Sequence, residues 1–357
     1  MTKRRTLGAH MGAEGTFRTT APKIAIDAVG RYLPDRARPV ADLPELAGLD
    51  EAERLTCLGL GIDTVAVDDG LTAHDLAERA ARSALETAGL PAAALGALIL
   101  VEPRAPETLI SSDATRLQHA LGAEAALTFS VGGLGCVSST PALLTARGLL
   151  AADPGLGPVL VVHGSKPAAE RRYRHPVTVN GDSGLALLLG HPHAEAPFHL
   201  LDLVQHTNGR YWDLFGLEYR DRPTAQWREK CADPPGYSFR LAMETRNRLA
   251  ELVAELLARN GLTRADIAGY VSQNLSAGGL AFTEESLDIT LLPSCRDNLR
   301  GLGHLGANDT FLNLSTALAR KELAEGDLAV LINVSPVAAW SVLLVEMGPR
   351  RGPGSIA

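Results

Sequence analysis

Two kinds of run alternate along the chain. Short stretches that are apolar at nearly every position are separated by longer ones whose apolar residues recur every three or four positions. The first kind predicts strands in KIAIDAVGRYLP (23–34), ALILVE (97–102), ALTFSV (126–131), PVLVVHGS (158–165) and DSGLALLLG (182–190). It predicts four more in HLLDLVQHTNG (199–209), IAGYVSQN (267–274), DLAVLINVS (327–335) and WSVLLVEM (340–347). The second kind predicts helices over 70–91, 111–122, 137–153, 239–259 and 309–323. In the first helix Leu76, Ala80, Ala84 and Leu85 form a stripe, Thr72 and Asp75 have capping-box spacing, and Gly89 suits the C-terminal stop. The stretch from 275 to 308 lacks a clear period and reads as irregular. Near-continuous apolar strands joined by helices predict mostly parallel sheet covered on both faces.

The pattern occurs twice. LAERAARSALETAGLPAAALGALILVE matches RLAELVAELLARNGLTRADIAGYVSQN in order: helix, Gly-Leu turn, short turn, strand. TPALLTARGLLAADPGLGPVLVVHGS pairs likewise with STALARKELAEGDLAVLINVS. The offsets are nearly constant, 172 from Gly89 to Gly261 and 176 from Thr140 to Thr316. Two copies of one α/β unit follow, with a first half at 24–195 and a second at 196–348. The ends, 1–23 and 349–357, read as tails by composition.

Composition narrows the function classes. At 357 residues, 46% hydrophobic and 21% charged, the chain has material for a large core. A net charge of −7 argues against a general nucleic-acid binder. No apolar run reaches membrane-spanning length, and the basic start lacks a secretory apolar segment. The four cysteines, Cys57, Cys136, Cys231 and Cys295, include no CxxC pair. A metal site and a disulfide framework are therefore not expected, and a reducing cytoplasm is.

The repeat singles out one cysteine. In GLGCVSST (133–140) Cys136 lies among glycines between a predicted strand and a predicted helix. Free N–H groups at a helix start lower a thiol pKa and hold an oxyanion. The matching point in the second copy is Asn308–Asp309, in LGHLGANDTFLNL. If the copies pack about a pseudo-twofold axis, these two loops converge.

At these residues the sequence resembles the thiolase superfamily, in particular its ketoacyl-ACP synthase III branch and acyltransferase relatives. The resemblance spans 23–347. GLGCVSST resembles the nucleophile region, NGDSGLALLLG a glycine- and aspartate-containing strand entry, LGANDTFLNLSTAL the asparagine segment, and VSPVAAWSVLLVEM the last two strands. The resemblance implies a duplicated αβαβα layered sandwich, a homodimer, and a cysteine that takes an acyl group from coenzyme A or acyl carrier protein. It implies Cys136 as nucleophile and Asn308 at the asparagine position. It places the oxyanion amides at Cys136 and Val337. The sequence departs from the family at the usual histidine, where VSQNLSAGG puts Ser272.

His304, in GLGHLGAND, is the leading substitute because it lies in the loop expected to face Cys136. Its imidazole would take the thiol proton, and Asp309 would orient its other ring nitrogen. His163 is the reserve, while His119 carries no comparable signal. Ser272 and Trp212 are candidates for positioning substrate, and Lys166, Arg171, Arg172 and Arg174 for meeting a carrier surface or a phosphate. Loss of the usual histidine points to a non-decarboxylating acyltransferase, which passes the acyl group from Cys136 to a hydroxyl, amine or thiol acceptor in specialised metabolite assembly. No permanently bound cofactor is expected, only a coenzyme A or phosphopantetheine thioester as substrate. The alternatives are a decarboxylative ketoacyl synthase III-like enzyme and a non-catalytic partner subunit of the same fold.

Overall fold

The computed structural model describes residues 23–217 and 219–349, so both expected tails lie almost entirely outside the described residues. The main strands are β1 (Ile24–Tyr32), β2 (Ala97–Val101), β3 (Leu127–Val131), β4 (Val159–Ser165) and β5 (Ser183–Gly190). They continue as β6 (Phe198–Thr207), β7 (Gly269–Ser272), β8 (Leu328–Ser335) and β9 (Ala339–Met347). The principal helices are α1 (Ala73–Ala88), α2 (Asp113–Leu121), α3 (Ser139–Ala152), α4 (Ala242–Arg259), α5 (Ala277–Leu287), α6 (Pro293–Leu302) and α7 (Asp309–Ala319).

All nine strands join one sheet in the order β7-β8-β9-β6-β1-β5-β4-β2-β3. The order carries the repeat. In the first half β1 pairs antiparallel with β5, β5 antiparallel with β4, and β4 parallel with β2. In the second, β6 pairs antiparallel with β9, β9 antiparallel with β8, and β8 parallel with β7. The halves meet where β1 runs antiparallel to β6, Ile24 opposite Leu200 and Ile26 opposite Phe198. The sheet is thus mixed, not mostly parallel as the strand pattern predicted. A continuous apolar run reports burial on both faces and is silent on direction.

Helices cover the sheet in layers. Helix α1 lies on β1, β4 and β5, and α4 on β6 and β9. On the inner side α3 and α7 fill the space between the two halves; in α7 every residue from Asp309 to Ser315 is buried. This is the α/β layered fold expected from the sequence. The turns that end α1 and α4 repeat in detail. Gly89 and Gly261 are both left-handed, with φ of +63° and +66°. Leu90 N donates to Leu85 O, and Leu262 N to Leu257 O, each at 2.9 Å. The stretch read as irregular holds α5 and α6. Two adjacent glycines in α5 and a proline at the start of α6 mask the helical period.

The close approach of α1 depends on glycine. A Cβ on Gly30, Gly164 or Gly184, on three neighbouring strands, would lie 2.2, 1.7 or 1.9 Å from a carbonyl oxygen of α1. Gly184→Ala should therefore cost about 3 kcal/mol or more through overpacking. A circular dichroism melt would read this as a lowered transition or an unfolded chain. An unchanged transition would mean that α1 can move off the sheet freely.

Candidate active site

The nucleophile turn follows from backbone geometry. Gly135 (φ +55°) opens a single 3-10 turn, Gly135–Val137, between β3 and α3. Its counterpart Gly306 (φ +66°) opens the turn Gly306–Asn308 before α7. Both positions need the left-handed region that glycine enters without strain. The two turns pack against each other between the halves of the sheet. A Cβ at Gly135 would stand 2.8 Å from Ser335 Oγ, so the nucleophile turn also rests on the end of β8.

This convergence aligns three side chains. Cys136 Sγ lies 3.1 Å from His304 Nε2, and His304 Nδ1 lies 2.6 Å from Asp309 Oδ2. All three are buried, His304 completely. The Asp309 carboxylate can only accept, so His304 carries its proton on Nδ1 and turns the lone pair of Nε2 to the thiol. Asp309 is itself held by two amides: Leu305 N donates to Oδ1 at 2.8 Å and Asn274 N to Oδ2 at 2.9 Å.

Burial pushes the Cys136 thiol up, but the His304 charge and hydrogen bond, helped by Arg104 and Arg174, outweigh it and bring the thiol down to about 7. Burial, joined by nearby carboxylates, pushes Cys57 and Cys295 the other way, to about 12. His304 is raised: burial opposes its charge, but Cys136 and Asp309 on its two sides favour it. Proton transfer from thiol to imidazole thus yields a thiolate beside an imidazolium, a competent acyl acceptor near neutral pH.

The expected oxyanion donors are the backbone amides of Cys136, in the 3-10 turn, and of Val337, in the turn between β8 and β9. Asn308 is engaged: its Nδ2 donates to Ser183 Oγ at 2.9 Å and reaches His163 O at 3.3 Å. That nitrogen ties the loop to β5 and β4 instead of facing substrate.

The other expected residues lie as follows. Ser272 is buried at the end of β7, where its carbonyl accepts from Asn313 Nδ2 at 2.7 Å. Trp212 is 74% exposed. The basic run 166–174 is largely turned inward. Lys166 Nζ donates to Asp68 O at 2.6 Å and to Leu71 O. Arg172 forms a two-pronged bond with Asp182 at 2.8 and 2.9 Å, and Arg174 is buried against Glu229. Of the four, Arg171 keeps the freest side chain, in a surface groove with Lys166 and Trp227. His163 is buried beside Gly306, its Nδ1 2.9 Å from Val101 O. His119 lies in the last turn of α2.

Other site residues had no place in the sequence reading. Asn333 Nδ2 donates to Cys136 O at 2.8 Å, and Gln273 Oε1 accepts from Val334 N at 2.9 Å. With Asn274 they brace both catalytic turns. The available signal was a set of polar residues at the ends of apolar strands, SQN at 272–274 and Asn333. Arg104 was also overlooked. Its Nη1 donates to Asn180 Oδ1.

Comparison with known proteins adds a chemical context. No protein-family model matches the chain. The β-ketoacyl-[acyl-carrier-protein] synthase III of Cereibacter sphaeroides is 28% identical over 334 residues, covering 91% of this chain and 99% of that protein. The enzyme of the same name from Ruegeria pomeroyi is 26% identical over 336 residues, with the same coverage. Among solved structures, the acyltransferase ChlB3 superposes with a TM-score of 0.77 at 24% identity, over 92% of this chain and 98% of that one. The 3-oxoacyl-(acyl carrier protein) synthase III of Pseudomonas aeruginosa PAO1 gives 0.74 at 21% identity, over 92% and 99%. The structural likenesses carry the fold alone. The full-length sequence matches to synthase III proteins overturn the expectation of a non-decarboxylating acyltransferase. The absence of histidine at position 272 does not by itself remove a histidine from the site, since His304 enters from the other loop.

Proposed function

We infer from this chain's membership of the thiolase superfamily, in its ketoacyl synthase III-like branch, that it is a decarboxylative condensing enzyme working through an acyl group on Cys136. The observation that carries the reading is the buried line Cys136–His304–Asp309, in a chain matched over 91% of its length by a synthase III sequence. The Cys136 thiolate attacks the carbonyl of an acyl thioester of coenzyme A or acyl carrier protein. A carbon–sulfur bond forms, and the negative oxygen is received by the Cys136 and Val337 amides. The intermediate collapses, and the donor thiolate leaves and takes a proton from solvent, so that His304 keeps its own.

A malonyl thioester then occupies the site. Its carboxylate leaves as carbon dioxide, and the bonding pair moves into an enolate. His304, kept protonated by the carboxylate of Asp309, donates from Nε2 to the enolate oxygen. The enolate carbon attacks the acyl carbonyl, the carbon–sulfur bond breaks, and the Cys136 thiolate is restored. Asn308, Asn274, Gln273 and Asn333 are positioning residues, since each acts by fixing a turn.

The same membership supports a homodimer. Strand β3 ends the sheet, with Leu127 54% exposed on it, and Leu109 and Ile110 stand exposed between β2 and α2. An edge strand with an exposed apolar residue is a surface that a second copy can cover. Among the described residues no helix is long and apolar enough to cross a membrane.

Carbon dioxide release tests the reaction. With an acyl-CoA and malonyl thioesters of both coenzyme A and acyl carrier protein, carbon dioxide and ketoacyl product should appear in equal amounts. Acylated Cys136 with no carbon dioxide release from either malonyl donor would overturn the condensing assignment.

A further inference from the structure

Beside the catalytic loop lies a second group of polar atoms that the reaction above does not use. A Cβ built on Gly306, two residues after His304, would stand 3.0 Å from Ser165 Oγ, 3.4 Å from His163 Nε2 and 3.8 Å from Arg104 Nη2. Three polar side chains therefore converge on one point beside the backbone of residue 306, closely enough that a side chain there would crowd them. Arg104 Nη2 is fully buried and has no hydrogen-bond partner, although Nη1 of the same guanidinium is bonded to Asn180. A buried, unused donor on a charged group is costly unless something accepts from it. The nearby carboxylate of Glu229 is paired with Arg174.

The hydrogen-bond inventory states what would fit. His163 Nδ1 must donate, because its partner is the Val101 carbonyl oxygen. Burial holds the ring neutral, pushing it down to about 4. Its Nε2 therefore offers a lone pair. Arg104 Nη2 offers an N–H, and the Ser165 hydroxyl serves in either sense. An alkyl chain satisfies none of these groups, and a carboxylate has no hydrogen for His163. A hydroxyl group satisfies both: its oxygen accepts from Arg104 and its hydrogen goes to His163.

We propose that Arg104, His163 and Ser165 form a polar subsite that selects a short hydroxyacyl group as the group loaded onto Cys136. The proposal rests on the acyl-enzyme reading above and specifies its donor class. Arg104 is a specificity residue that touches the acyl chain and leaves the thioester carbonyl to the oxyanion amides.

The test follows loading alone, without malonyl substrate. Intact-protein mass spectrometry would time Cys136 acylation by lactyl-CoA against propionyl-CoA, and by 3-hydroxybutyryl-CoA against butyryl-CoA. Succinyl-CoA serves as the carboxylate arm. One hydroxyacyl donor is expected to load about tenfold or more faster than its saturated partner, since a site built for a hydroxyl is left unpaired by the analogue that lacks one. Arg104→Met should bring that ratio close to one. Arg104→Gln, which can keep a donor toward Asn180, guards against loss of fold and should also reduce the ratio. Equal loading of both members of each pair by the parent protein would overturn the subsite while leaving the acyl-enzyme intact. Fastest loading by succinyl-CoA would overturn the hydroxyl assignment. Failure of every thioester to label Cys136 would overturn the acyl-enzyme reading and the subsite with it.

Discussion

Cys136→Ala is expected to leave no acyl adduct on the protein and to lower ketoacyl formation by at least about 1000-fold, the scale on which loss of a covalent nucleophile is felt. The reason lies in the contrast among thiols. Cys57 and Cys295 have no histidine beside them, and burial, the largest cause, helps push each to about 12. Cys231 is also raised. Only Cys136 is brought down, to about 7, so no other thiol can take over at neutral pH. The substitution removes a sulfur from a turn whose backbone is held independently by Asn333 and by Gly135, so the fold should persist. Peptide mapping after incubation with an acyl-CoA would locate the adduct in the parent protein. An adduct of equal yield in the alanine variant would place the nucleophile elsewhere.

The second large effect belongs to His304. His304→Ala removes the group that opposes the burial penalty on the Cys136 thiol. The midpoint of Cys136 alkylation should therefore move upward from about 7 toward the ordinary value of 9.0. At pH 7 the thiolate fraction would fall from about one half to about one hundredth. The rate of iodoacetamide labelling, followed by mass spectrometry across pH 5–10, reads this directly. Condensation should fall by about 100-fold or more, because the variant also loses the hydrogen-bond donor that stabilises the enolate. The two readouts separate chemistry from packing: a structural histidine would affect stability and leave the alkylation midpoint in place. An unshifted midpoint in a folded variant would remove His304 from the reaction. The vacated Asp309 carboxylate still has the Leu305 and Asn274 amides, which lessens the cost of its burial.

Much of the fold was legible because periodicity reports burial. All nine predicted strands form, and the repeat visible in the Gly-Leu turns reappears as left-handed Gly89 and Gly261. Helices α5 and α6 were not legible, because Gly278, Gly279 and Pro293 carry loop signals even where a helix forms. At the site, Cys136, His304 and Asp309 could be paired from sequence because the repeat equates their loops. In the basic run 166–174, sequence shows charge but not direction. Lys166, Arg172 and Arg174 point to internal acceptors.

By itself, then, the sequence determined the strand and helix pattern, the duplication and the glycine-flanked cysteine, all of which depend on residues close together in the chain. Tertiary structure decided the mixed strand directions, the 3.1 Å approach of Cys136 to His304 across 168 positions, and the meeting of Arg104, His163 and Ser165 at Gly306. Those distances arise only when two halves close on a shared interior, where burial and neighbouring charge, acting together, separate one reactive thiol from three inert ones.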